Sequence, residues 1–139
     1  MTKSELRIRN WVKHTNESGT FNIQIKELRE MEAVVSDDSD RGWNFDYDAI
    51  EPIPLTEEIL LKSGFSDKHY KKGHIGIDVK YENSTTTDFV LEEPKFMGEW
   101  DEYYTFELPS HKFVEVKHVH DLQNLFFILT GKELETKIQ

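Results

Sequence analysis

The chain has 139 residues, no cysteine and a formal net charge of −10. That length suits one domain or two small joined ones, and the missing cysteine excludes disulfide scaffolds, thiol nucleophiles and cysteine zinc sites. Net negative charge argues against general affinity for DNA or RNA, whose phosphates dominate non-specific binding.

Taken in chain order, the first third reads as short strands separated by turns. Leu6, Ile8 and Val12, with Trp11 on the opposite face, predict a strand ending near His14. Asn16-Glu17-Ser18-Gly19 has the chemistry of a hairpin turn. Phe21, Ile23 and Ile25 then alternate with Asn22, Gln24 and Lys26, a period of two that puts them on one face. A third strand covers residues 31–36, a loop follows over 37–42, and Trp43, Phe45 and Tyr47 alternate in a fourth strand. Many short strands in so few residues predict a small SH3-like β-barrel or an open meander over residues 1–53.

Residues 54–139 read as a helix, antiparallel strands and a second helix, so the chain as a whole is α+β. Thr56 is a good N-cap, Glu57 and Glu58 complement the positive helix end, and Gly64 with Phe65 fits a helix stop. Ile75, Ile77, Val79 and Tyr81 alternate in one strand and Phe89 and Leu91 in the next, with a turn over 83–86 between them. Residues 94–98 read as a loop, and Tyr104, Phe106 and Leu108 define another strand. The strand at 113–117 leads into a helix on which Val119, Leu122, Leu125, Phe126 and Leu129 share an apolar face. Phe127 and Ile128 extend that surface sideways; left uncovered, they would favour a homodimer. Gly131 ends the helix.

The chemical motifs are sparse. His118-Val119-His120-Asp121 sets two histidines two apart, but Leu122 stands where the metallo-β-lactamase-like pattern needs an acid. His120 reads instead as an N-cap with Gln123 reaching back, so no metal site and no cofactor is expected. Asp38, Asp40 and Gly42 are misspaced for a calcium loop, and Ala49 stands where the bidentate glutamate belongs. No nucleophile elbow, Walker loop or dinucleotide glycine pattern occurs, and no catalytic residue is assigned.

The candidate ligand-binding residues are Arg41, Trp43, Tyr70, Lys71, Lys72, Trp100 and Tyr103. Lys71 and Lys72 could meet phosphate while Tyr70 stacks on a base. Trp100 and Tyr103, set among carboxylates, offer large contact area at low entropy cost. Residues 31–60 carry nine acidic and one basic side chain and residues 81–110 eight and one, flanking a basic island over 61–80.

Three segments together resemble a known group. Leu6-Arg7-Ile8-Arg9-Asn10-Trp11-Val12, the run from Asp48 to Glu58 continued by Leu60 to Phe65, and Val119 to Gly131 are similar to a family of small uncharacterised proteins. Bacteroides-type bacteria, their phages and their prophages encode it. Where that family carries Gly after the Arg-Ile pair, this chain has Arg9. The resemblance implies a mobile-element setting and an accessory role, and it transfers no catalytic residue.

These readings predict a cytoplasmic, non-enzymatic protein that binds a host protein or a small, nucleotide-like ligand, in a role that counters host defence. The absence of a leader-like or membrane-spanning apolar run supports that location. The alternatives are an acidic mimic of DNA, with both acidic blocks on one face, and a hydrolase. A hydrolase would need two or more histidines within reach of a shared metal.

Overall fold

The computed structural model describes residues 1–94 and 103–138. Among those residues the architecture is α+β, with two four-stranded antiparallel sheets and two α-helices. Two compact units divide it. Residues 1–54 with 118–125 form the first, and residues 55–117 with 126–139 form the second. No described helix is long and apolar enough to cross a membrane.

The first sheet is a meander of β1 (Trp11–Asn16), β2 (Gly19–Leu28), β3 (Glu32–Ser36) and β4 (Gly42–Asp46). It is coiled but is not a closed barrel. A register shift between Ile25 and Glu27 bends the long β2, as a bulge does. After β4 a 3₁₀ turn, Tyr47–Ala49, carries the chain back to Glu51, which bridges Lys13 of β1 through paired backbone hydrogen bonds of 2.9 and 2.8 Å. Leu6, Val12, Ile23, Ile25, Ala33, Val35 and Ile50 form its buried core.

Two expectations for this unit change. Leu6 and Ile8 precede β1, because a tight turn forms first: Asn10 Oδ1 accepts from Arg7 N at 2.7 Å, and Asn10 N donates to Arg7 O at 3.0 Å. Within it Arg9 takes φ +80°, the left-handed region that glycine favours. Tyr47 leaves the fourth strand for the 3₁₀ turn, where its hydroxyl donates to Arg29 O.

In the second unit α1 (Glu57–Lys62) forms as local signals dictate. Thr56 Oγ1 accepts from Ile59 N at 3.3 Å. At the other end Gly64 has φ +99°, and Phe65 N donates to Leu60 O and Gly64 N to Leu61 O, a Schellman stop with both Leu60 and Phe65 buried. The second sheet runs β5 (His74–Lys80), β6 (Thr86–Glu92), β7 (Tyr104–Glu107) and β8 (Phe113–Val116) in that order. Phe89 is its aromatic hub, stacked on Phe106 at 4.8 Å and meeting the edges of Phe65 and Phe126 at 6.2 and 5.2 Å.

Helix α2 (Val119–Thr130) starts at His118 and stops at Gly131, whose φ is +71°. Its buried face differs from the apolar stripe read in the sequence. Val119, Leu122 and Phe126 are buried as expected, but Leu129 is exposed, while His120 and Gln123 are buried. Phe127 and Ile128 are exposed as well.

Candidate functional site

The feature of the first unit with the most open chemistry lies where its coiled sheet brings opposite edges together. His14 of β1 and Phe45 of β4 belong to strands that share no ladder, yet their rings stack at 4.1 Å with an 18° tilt. Trp43 continues the row at 6.4 Å from Phe45, nearly parallel to it. The Arg41 guanidinium sits 5.8 Å above the Trp43 ring. Cross-strand register explains the alignment. Phe45 and Trp43 oppose Ala33 and Val35, and His14 opposes Phe21, so all four rings stand on the face that carries the core. They lie where that face opens to solvent, with Trp43 39% and Phe21 45% exposed.

Each member is positioned by something specific. A ring nitrogen of His14, Nδ1, meets Ala49 O at 2.7 Å, which ties the row to the 3₁₀ turn. Arg41 is braced by Asp37 through Nε to Oδ2 at 2.9 Å, and Asp37 Oδ1 accepts from Ser39 N and Arg41 N. Asp37 thus organises the acidic loop internally, as a turn-forming aspartate does.

Of the candidate residues, Arg41 and Trp43 come together here. Tyr70, Lys71, Lys72 and Tyr103 belong to the second unit, and Trp100 lies outside the described residues. Tyr70 does not stand free for base stacking. One face of its ring rests on Gly76, where an added Cβ would come within 2.8 Å of Tyr70 Cζ. Its hydroxyl is 3.5 Å from Asp78, and burial, then Asp88 and Asp78, push the phenol above its ordinary range. Lys71 and Lys72 are exposed, and their carbonyls take hydrogen bonds from His74. The Tyr103 ring carries Lys117 Nζ at 4.6 Å.

Sequence reasoning missed His14, Phe21 and Phe45. The signal was present in the turn: a two-residue connection at Glu17-Ser18 fixes the register that sets His14 opposite Phe21.

A second cluster gathers at the start of α2. His118, not His120, is the N-cap: its carbonyl accepts from Leu122 N, and Asp121 Oδ2 reaches back to His118 N at 3.0 Å. The two imidazoles lie nearly parallel, with centroids 5.6 Å apart. Asp121 faces both, Oδ2 at 3.2 Å from His118 Nδ1 and Oδ1 at 3.4 Å from His120 Nε2. Burial pushes His120 below its ordinary pKa; Asp121 and Glu5 oppose the shift, and His118 reinforces it.

Comparison with family models, with curated proteins and with solved structures finds no match for this chain.

Proposed function

We propose that the protein is a non-enzymatic binding module that holds a host protein on the aromatic row of its first unit. The observation carrying this reading is the Arg41–Trp43–Phe45–His14 stack, with Trp43 and Phe21 exposed beside it. Rigid aromatic rings and an arginine at a solvent-facing opening supply contact area at low entropic cost, the usual composition of an energetically dominant patch. The order of parts supports an SH3-like reading of residues 1–53: four strands, a 3₁₀ turn, then a short return to β1. In folds of that kind, aromatic-lined grooves take extended polypeptide segments.

Charge favours a polypeptide over a nucleotide. Asp37, Asp38 and Asp40 precede Arg41, whose guanidinium is already bonded to Asp37, so a phosphate would meet carboxylates and a cation already paired. The partner segment is apolar and basic. On the resemblance to phage- and prophage-encoded proteins, it belongs to a host-cell protein, and masking it counters a host defence.

Capture from host-cell extract on the immobilised chain, with mass spectrometry of bound proteins and small molecules, tests this. Wild type is expected to retain a specific protein that Trp43→Ala and Phe21→Ala retain at least tenfold less, with unchanged circular dichroism. Equal retention by all three chains, or retention of a nucleotide alone, would overturn it.

A further inference from the structure

Besides the aromatic row, His118, His120 and Asp121 form a cluster with a different chemistry. Their ligand atoms all lie within 4.8 Å of one another. The cluster is built by local backbone geometry. His118 occupies the cap and Asp121 the third helical position, so the first turn of α2 folds the carboxylate back between the two imidazoles.

We propose that His118, His120 and Asp121 bind a divalent transition ion of the zinc class, with a fourth position open to water or to an exogenous ligand. Three observations carry this. First, the donors are imidazole nitrogens and a carboxylate, the set that zinc takes in sites with three protein ligands. Second, the two nitrogen-to-oxygen separations are 3.2 and 3.4 Å. Two ligands of a tetrahedral ion with bonds of ~2.0 Å stand about 3.3 Å apart, and each imidazole lies at about that distance from a different oxygen of Asp121, so the carboxylate reaches toward both rings. Third, His120 is only 3% exposed, and its Nε2 is held 3.4 Å from Asp121 Oδ1, so a donor pair stands away from bulk water where an ion is a strong partner.

The remaining histidines offer no comparable set among the described residues. His14 is committed to Ala49 O, His111 pairs with Glu107, and His74 lies against Lys72 O. The sequence pattern concealed the cluster, because the expected acid position two after the second histidine is Leu122. The helix turn, and not that spacing, brings Asp121 into place.

The test uses untagged, metal-stripped protein. Titration with Zn²⁺ by calorimetry is expected to show one equivalent bound, with affinity at least tenfold lower in His118→Ala and in Asp121→Asn and unchanged in His111→Ala. Co²⁺ in the wild type is expected to give the intense visible absorption of a tetrahedral ion. Affinities within twofold of wild type in both variants, or a Co²⁺ spectrum like that of the aquo ion, would overturn the assignment. Since either variant could unfold, nitrogen-15 spectra of the wild-type histidine rings supply a second readout. Zn²⁺ is expected to shift His118 and His120, and shifts confined to His69, His74 and His111 would refute the site. The aromatic row shares no residue with this cluster, so failure of one reading leaves the other intact.

Discussion

The carboxamide of Gln123 stands beside Trp11 as a neighbouring strand would. Its Oε1 accepts from Trp11 N at 2.8 Å, and its Nε2 donates to Arg9 O at 3.1 Å. Next to it Asn124 Oδ1 accepts from Asn10 Nδ2 at 2.8 Å and from Arg7 Nε at 3.3 Å. Two polar residues of α2 therefore complete the hydrogen bonding of the segment entering β1, which explains how a fully enclosed glutamine is tolerated.

Replacing it exposes that dependence. Gln123→Leu keeps the volume but leaves Trp11 N without its side-chain partner and Arg9 O with Gln24 Nε2 alone. A loss of about 2–3 kcal/mol is expected in urea unfolding, the cost of stranding buried polar groups. A loss below roughly 0.5 kcal/mol would mean that water replaces the carboxamide without difficulty.

Arg9 makes the opposite prediction. At φ +80° its Cβ is strained, while its backbone N–H and carbonyl are both engaged, with Ile25 O and with Gln24 and Gln123. Arg9→Gly removes the strain and keeps every one of those bonds. Stability should rise by ~0.5–1 kcal/mol after the glycine's extra unfolded-state entropy is subtracted, as read from the thermal midpoint.

How much of this was legible depends on the reach of each interaction. Helix α1 was readable because Thr56, Gly64 and Phe65 act within a few residues. The hairpin at Glu17-Ser18 was readable for the same reason. The buried face of α2 was not, because Leu129 looks more apolar than Gln123, and only distant Trp11 and Arg9 make the glutamine interior. The candidate residues Arg41 and Trp43 are neighbours in sequence and were found. Phe45, two residues on in the same strand, was read only as a strand residue, and His14 was not found, since a coil in the sheet joins it to Phe45.

Asp78 and Asp88 face each other directly across β5 and β6. Shared hydrogen bonding with Asp78, then local desolvation and the like charge, hold the exposed Asp88 carboxyl above its ordinary value of 3.8. A carboxyl raised in the folded state favours folding below the unfolded pKa, and that contribution is lost as pH rises through the folded one. Asp88→Asn should therefore raise the thermal midpoint at pH 7, with the gain shrinking towards zero as pH falls below about 4. A gain independent of pH would show that the charge pair is not its source.

Gly76 carries the ring of Tyr70. A Cβ there meets Tyr70 Cζ at 2.8 Å and Phe89 O at 3.0 Å, so Gly76→Ala must displace the ring or the strand. A destabilisation of about 1–3 kcal/mol is expected, with a fall in the Tyr70 phenol pKa as the ring swings into water. An unchanged tyrosine titration would show that the ring does not rest there in solution.

Amide and aromatic NMR shifts on adding the captured host protein decide whether the first unit binds its partner through the aromatic row. The largest changes are expected at His14, Phe21, Arg41, Trp43 and Phe45, together with their disappearance in Trp43→Ala. Changes confined to residues 66–74, with the aromatic row undisturbed, would contradict such binding.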